Sequence, residues 1–107
     1  MTNEMVHESF QMAKKRYLKE VTLKEANDYL VRIGMNGNST ADYIYAYDHM
    51  MKGIVFKRRI NEYSIDYYLN NIQKDGGQKD LAKALNSLLK HFEYWESYSG
   101  TTVGGGR

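Results

Sequence analysis

The sequence predicts an all-α protein, a compact bundle of four to five short helices. Three observations carry that expectation. Apolar residues recur at spacings of three and four through most of residues 3–98. Helix-start signals stand where the periodic stretches begin, and glycines stand where they end. The 107 residues contain no proline at all, which suits helices joined by short glycine-bounded turns.

The first helix is expected over about 3–18, where Val6, Phe10, Ala13 and Tyr17 form one stripe. The second opens on Thr22, three residues before Glu25. That is a capping box, in which each side chain satisfies the other's orphan backbone N–H. It presents Leu23, Ala26, Leu30 and Ile33 and stops at Gly34, after which "GMNGNS" reads as a loop.

Ser39 is the expected cap of a third helix, with Asp42 in its first turn favoured by the helix dipole. The stretch "STADYIYAYDHMMKG" tests this, because Tyr43, Tyr45 and Tyr47 alternate as in a strand. A strand would place Asp48 among Ile44, Ala46 and Met50. A helix instead gathers Tyr43, Ile44, Tyr47, Met50 and Met51 on one face, with Asp42, Tyr45, Asp48, His49 and Lys52 on the other. The helical reading keeps the aspartate out of the core, so Tyr43 and Tyr47 are expected inside and Tyr45 outside.

Gly53 ends that helix, and "IVFKRRI" reads as a corner. Asn61 caps a fourth helix to about residue 74, burying Ile65, Tyr68, Leu69 and Ile72, and Asp75, Gly76 and Gly77 break it. In the last helix, about 78–98, Leu81, Leu85, Leu88, Phe92 and Trp95 form the cleanest stripe and are expected to face the core. Residues 1–100 read as a single helical domain and 101–107, "TTVGGGR", as a flexible tail or the start of a linker.

Composition narrows the function classes. No cysteine means no disulfide, no thiolate nucleophile and no cysteine-type zinc site. No apolar run approaches the roughly 18 residues of a membrane span, and no signal-peptide segment stands at the N-terminus. The expected location is cytoplasmic, with no membrane partner. His7, His49 and His91 fall in no metal-ligand spacing, no nucleophile elbow occurs, and the glycines lack a P-loop lysine. No catalytic residue, metal or cofactor is expected, and the chain is not read as an enzyme.

What remains is a set of cations and ten tyrosines at a net charge of only +2. Nucleic-acid contact would have to come from local clusters. Lys57, Arg58 and Arg59 precede a helix N-terminus and are the leading phosphate-contact candidates, with Lys83 and Lys90 on the outer side of the last helix. Ser87 and Tyr94 are expected on that outer side too, and Tyr63, Tyr67, Asn70 and Lys74 on that of the fourth helix. Tyr45, Tyr63, Tyr67 and Tyr94 are the expected interaction surface, suited to stacking on bases or anchoring a protein interface. Lys14, Lys15 and Arg16 occupy consecutive helical positions and are expected to be spread thinly. Residues 23–51 resemble a helix-turn-helix in outline, but the joint is long and the outward face too acidic for a major groove.

Tyr43, Ile44, His49, Met50, Gly53, Lys57, Arg58, Ile60 and Asn61, with the aromatic helix end Phe92, Tyr94 and Trp95, carry a resemblance. Over residues 39–97 the chain resembles a small helical domain that accompanies bacterial HNH-type, modification-dependent restriction endonucleases. The resemblance implies an association with DNA restriction or defence and carries over no catalytic residue, since this chain has no HNH motif. Two function classes follow. One is a non-catalytic helical module that binds nucleic acid or positions a DNA-acting partner. The other is a protein-interaction module, such as a phage or mobile-element inhibitor of a bacterial defence system, with a homodimer through a leftover apolar face on the last helix as one form of it.

Overall fold

Four helices follow one another in the structure, a computed structural model that describes residues 2–56 and 60–99, the last three by their backbone alone. They are α1 (Asn3–Tyr17), α2 (Leu23–Arg32), α3 (Thr40–Lys52) and α4 (Glu62–Ser99), and no strand occurs among the described residues. The all-α bundle read from periodicity is therefore the fold. The expected cluster Lys57, Arg58, Arg59 and the expected tail 101–107 lie outside the described residues.

The starts of the helices are local chemistry. The Thr22–Glu25 capping box forms as expected: Glu25 N donates to Thr22 Oγ1 at 3.1 Å and Thr22 N to Glu25 Oε1 at 2.8 Å. Asn61 Oδ1 accepts from Ser64 N at 2.8 Å. Ser39 departs from expectation. Its backbone is already in the right-handed helical region and its side chain makes no capping bond, while the neighbouring Thr40 hydroxyl donates to Gly37 O at 3.3 Å.

α4 joins the two helices expected on either side of "DGG". Only Gly77 leaves helical geometry, at φ 73° and ψ −162°, a conformation open essentially to glycine alone. It divides α4 into a first arm, 62–76, and a second arm, 78–99. Ile60, Glu62, Ile65, Asp66 and Leu69 wall one side of a cleft, and Leu88, His91, Phe92 and Trp95 wall the other. The arms thus fold back on each other as a helical hairpin.

α3 is the hub, packed against all three other helices. Its Ile44, Ala46 and Met50 are fully buried, and Tyr43 and Tyr47 turn inward with them as the 3.6-residue period requires. Around Phe10 of α1 the rings of Tyr47 and Tyr68 stand edge-on, each with centroids 5.2 Å away, an arrangement that matches ring edges to ring faces. Tyr68 is wholly buried and its hydroxyl donates to Tyr43 O at 3.0 Å. Burial pushes its phenol well above the ordinary value and that of Tyr47 to about 12, so both stay neutral. Asp48 corrects the sequence reading. It was expected outside and is instead nearly buried, held by Lys52 at 3.1 Å.

The larger correction concerns the second arm. Among its described residues Ala84, Ser87 and His91 are buried, whereas Leu85 and Phe92, expected in the core stripe, are exposed together with Leu89. Leu81, Leu88 and Trp95 are only half-buried. Ser87 was expected outward and is fully covered.

The kink yields a first prediction. A Cβ on Gly77 would meet nothing within 4 Å, so Gly77→Ala tests backbone strain alone. Urea unfolding of this variant is expected to show a loss of roughly 1–3 kcal/mol.

Candidate interaction surfaces

The second arm is oriented by the corner that follows α3. Gly53 closes α3 in the left-handed region at φ 70°, and the next residues leave carbonyls without helical partners. Side chains of the arm supply donors to three of them. Asn86 Nδ2 donates to Gly53 O at 3.0 Å, Ser87 Oγ to Ile54 O at 2.5 Å, and His91 Nδ1 to Phe56 O at 2.6 Å. The last bond requires the proton on Nδ1, which sets the tautomer of neutral His91. The Phe56 ring stacks on the His91 ring at 4.1 Å and 12°. The face of the arm that carries these donors must turn inward.

The opposite face is then left to solvent. Leu85, Leu89 and Phe92 keep 47%, 57% and 53% of their surface exposed. They are spaced four and three residues apart on one stripe. Phe92 also borders the hairpin cleft, about 490 Å³ in volume, with Ile60, Leu69, Leu88 and Trp95. This is a continuous apolar and aromatic surface, the kind that marks an interaction site.

A second surface lies where the end of α1 meets α3. Arg16, Tyr17, Lys19, Tyr45, Asp48 and Lys52 line a cleft of about 620 Å³. The Arg16 guanidinium sits 5.1 Å from the Tyr45 ring centroid, a cation–π contact. It also lies 4.0 Å from Asp48. Tyr45 in turn stacks on His49, with 29° between the rings. Lys19 carries φ 64°, a left-handed position that usually costs a non-glycine residue about 1 kcal/mol. Lys14, by contrast, is tied to Asp75 at 2.8 Å. Of the triplet expected to be diluted, Arg16 alone joins this cleft, and its partners come from α3 and the α1–α2 turn. Consecutive numbering in α1 hid a cluster that only tertiary contact assembles.

The sequence-predicted residues distribute as follows. Tyr45 belongs to the cationic cleft. Tyr63 is exposed and leans on Tyr67 at 35°. Tyr67, expected outward, is half-buried, edge-on to Phe10 and hydrogen-bonded through its hydroxyl to His7 Nδ1. Tyr94 is half-buried against Trp95. Lys90 is exposed. Lys83 is ion-paired to Asp80 at 3.3 Å and packs beside Gly53. These cations are not brought together with the Arg16 cleft. Most of the described residues that carry the family resemblance turn out to be scaffold: Tyr43, Ile44, Met50 and Ile60 are buried, Gly53 is the α3 cap and Asn61 the α4 cap.

No protein-family model, curated protein or solved structure matches this chain. Among the described residues no group of three or more His, Asp or Glu side chains is placed to hold a metal ion. No described helix is long and apolar enough to cross a membrane.

His49 offers a pH-linked test. Its Nδ1 is buried without a hydrogen bond. Burial pulls its pKa below the ordinary 6.5, opposed by Asp48 and assisted by Lys52 and Arg16. The folded state therefore binds this proton less readily than the unfolded chain, and the stability it protects is present above about pH 6.5 and lost as pH falls. Melting temperature followed from pH 7.5 to 5.5 is expected to fall, and His49→Gln is expected to flatten that decline.

Proposed function

We propose that the chain is a non-catalytic docking module, and that the second arm of α4 seats a protein surface. The exposed row Leu85, Leu89 and Phe92, continuous with the aromatic cleft, carries this reading. Burying a large apolar side chain contributes roughly 1.5–3 kcal/mol relative to full exposure, so half-exposed residues in a row hold a substantial unused share. The arm meets the body through hydrogen bonds to the corner, and its apolar row stays available to a partner. The resemblance over residues 39–97 fits a module of this kind that positions a DNA-acting partner.

The double variant Leu85→Lys with Leu89→Lys tests it. Circular dichroism and melting temperature are expected to stay near wild type, while proteins retained by the immobilised wild type from bacterial lysate are lost. A strong drop in melting temperature would place these leucines in the fold, and retention of the same proteins would place the docking surface elsewhere.

A second reading, nucleic-acid contact, is favoured by the Arg16, Lys19, Lys52 and Tyr45 cleft. Cations there would contact backbone phosphates, and the tyrosine edge a sugar or base. Lys19→Gly with Lys52→Gln removes two cations, relieves the Lys19 backbone and leaves Arg16 beside Asp48. Titrated with single-stranded and duplex DNA over a range of salt, this variant is expected to bind more weakly, with the log–log salt slope shallower by about 2 on duplex. Equal affinity and slope for both proteins would remove the reading.

A further inference from the structure

The hairpin cleft that adjoins the apolar row carries a charge of its own. Leu69, Leu88, Phe92 and Trp95 give it an apolar and aromatic lining, and Glu62 and Asp66 stand on its first-arm wall. No lysine or arginine lines it among the described residues. Glu62 and Asp66 are exposed and four residues apart, on one helical face, where like charges repel. The helix dipole favours Glu62 in the first turn of α4 and fades before Asp66. Among the described residues no ion pair includes either one. On the second arm, Glu93 is exposed one turn beyond Leu89. It projects roughly 70° from the mid-line of the row, on the opposite side from Leu88 and Trp95. The cations of that arm stand farther round. Lys79, Lys83 and Lys90 project roughly 110–150° from the mid-line, and Lys83 is paired with Asp80. Row and cleft together are an apolar strip with carboxylates along both borders.

We propose that this strip seats an amphipathic helix of a partner protein whose apolar stripe is bordered by lysine or arginine. The proposal rests on the docking reading of the row and names the chemistry of its occupant. A helix laid along the hairpin groove sets its apolar anchors against Leu89, Phe92 and Trp95. Its cationic side chains cover the strip's edges with their stems and carry their charges to Glu62 and Asp66 on one border and Glu93 on the other. Charge decides which partner fits. A neutral or acidic helix would leave three carboxylates partly desolvated with no counter-charge. The chain's net charge of +2 gives a cationic segment no long-range attraction. Selection therefore occurs on contact, through these borders.

Trp95 is the chain's single tryptophan and lines the cleft, so its emission reports occupancy. Two tryptophan-free probes share one leucine pattern: an amphipathic helical peptide with lysine on its polar face, and the same peptide with glutamate there. The lysine peptide is expected to shift Trp95 emission and saturate in the micromolar range, and the glutamate peptide to bind about tenfold more weakly. Glu62→Gln with Asp66→Asn is expected to weaken the lysine peptide about three- to tenfold, with an unchanged helical spectrum. Glu4→Gln with Glu20→Gln makes the same change of charge at exposed positions away from the cleft and is expected to leave binding unaltered. Equal affinity for both peptides, or equal weakening by the two pairs of substitutions, overturns the cationic partner and leaves the docking face to an uncharged one. The absence of any emission shift at millimolar lysine peptide overturns the proposal too, while the lysate experiment still decides the docking reading. Lysine-peptide binding that Leu85→Ala with Leu89→Ala leaves unchanged overturns the docking reading itself.

Discussion

The carbonyls of the corner after α3 set the orientation of everything that follows them. A helix that ends in a left-handed glycine leaves acceptors pointing away from its axis, and those of Gly53, Ile54 and Phe56 need donors. The second arm of α4 provides them through Asn86, Ser87 and His91. An unsatisfied buried polar group costs about 1–3 kcal/mol, and the Phe56–His91 bond is buried. Rotating the arm to sink Leu85 and Leu89 would break all three bonds, one of them beyond the reach of water. It would also carry Ser87 and His91 away from their acceptors. These bonds, with the Phe56 ring stacked on His91, accompany the orientation that leaves the apolar row outside.

That choice has a functional consequence. Small and polar residues hold the arm to the body, and large apolar ones are left outside. The same α3 that ends in the corner supplies Tyr45, His49 and Lys52 to the cationic cleft. It also contributes Tyr43 and Tyr47 to the ring cluster about Phe10 and Tyr68. One helix thus serves the core by one face and a candidate anion surface by the other. The Arg16 side chain joins these roles, lying over Tyr45 and beside Asp48.

Asp48 illustrates how a polar residue comes to be nearly covered without disrupting the core. It lies at the border between the buried and solvent faces of α3, where Lys52 one turn on and Arg16 from α1 reach it together. A carboxylate in that position is tolerable because two cations share it, and burial of a lone one would not be. The helical wheel of α3 alone shows Asp48 on the polar side, and it contains no information about the approach of α1.

By itself the sequence determined the helices, their caps at Thr22 and Asn61, their stops at Gly53 and Gly77, and the inward turn of Tyr43, Tyr47, Tyr68 and Ile72. All of these depend on interactions within a few residues or on the 3.6-residue period, which is written in the order of side chains. Tertiary structure alone decided which face of the second arm would be buried. The periodicity of Leu81, Leu85, Leu88 and Phe92 marks an apolar stripe and says nothing about what it meets. The acceptors that turned the stripe outward lie some thirty residues earlier in the chain. Arg16, Lys19 and Lys52 became neighbours for the same reason: charges join a cleft through the packing of separate elements, and no local spacing encodes that packing.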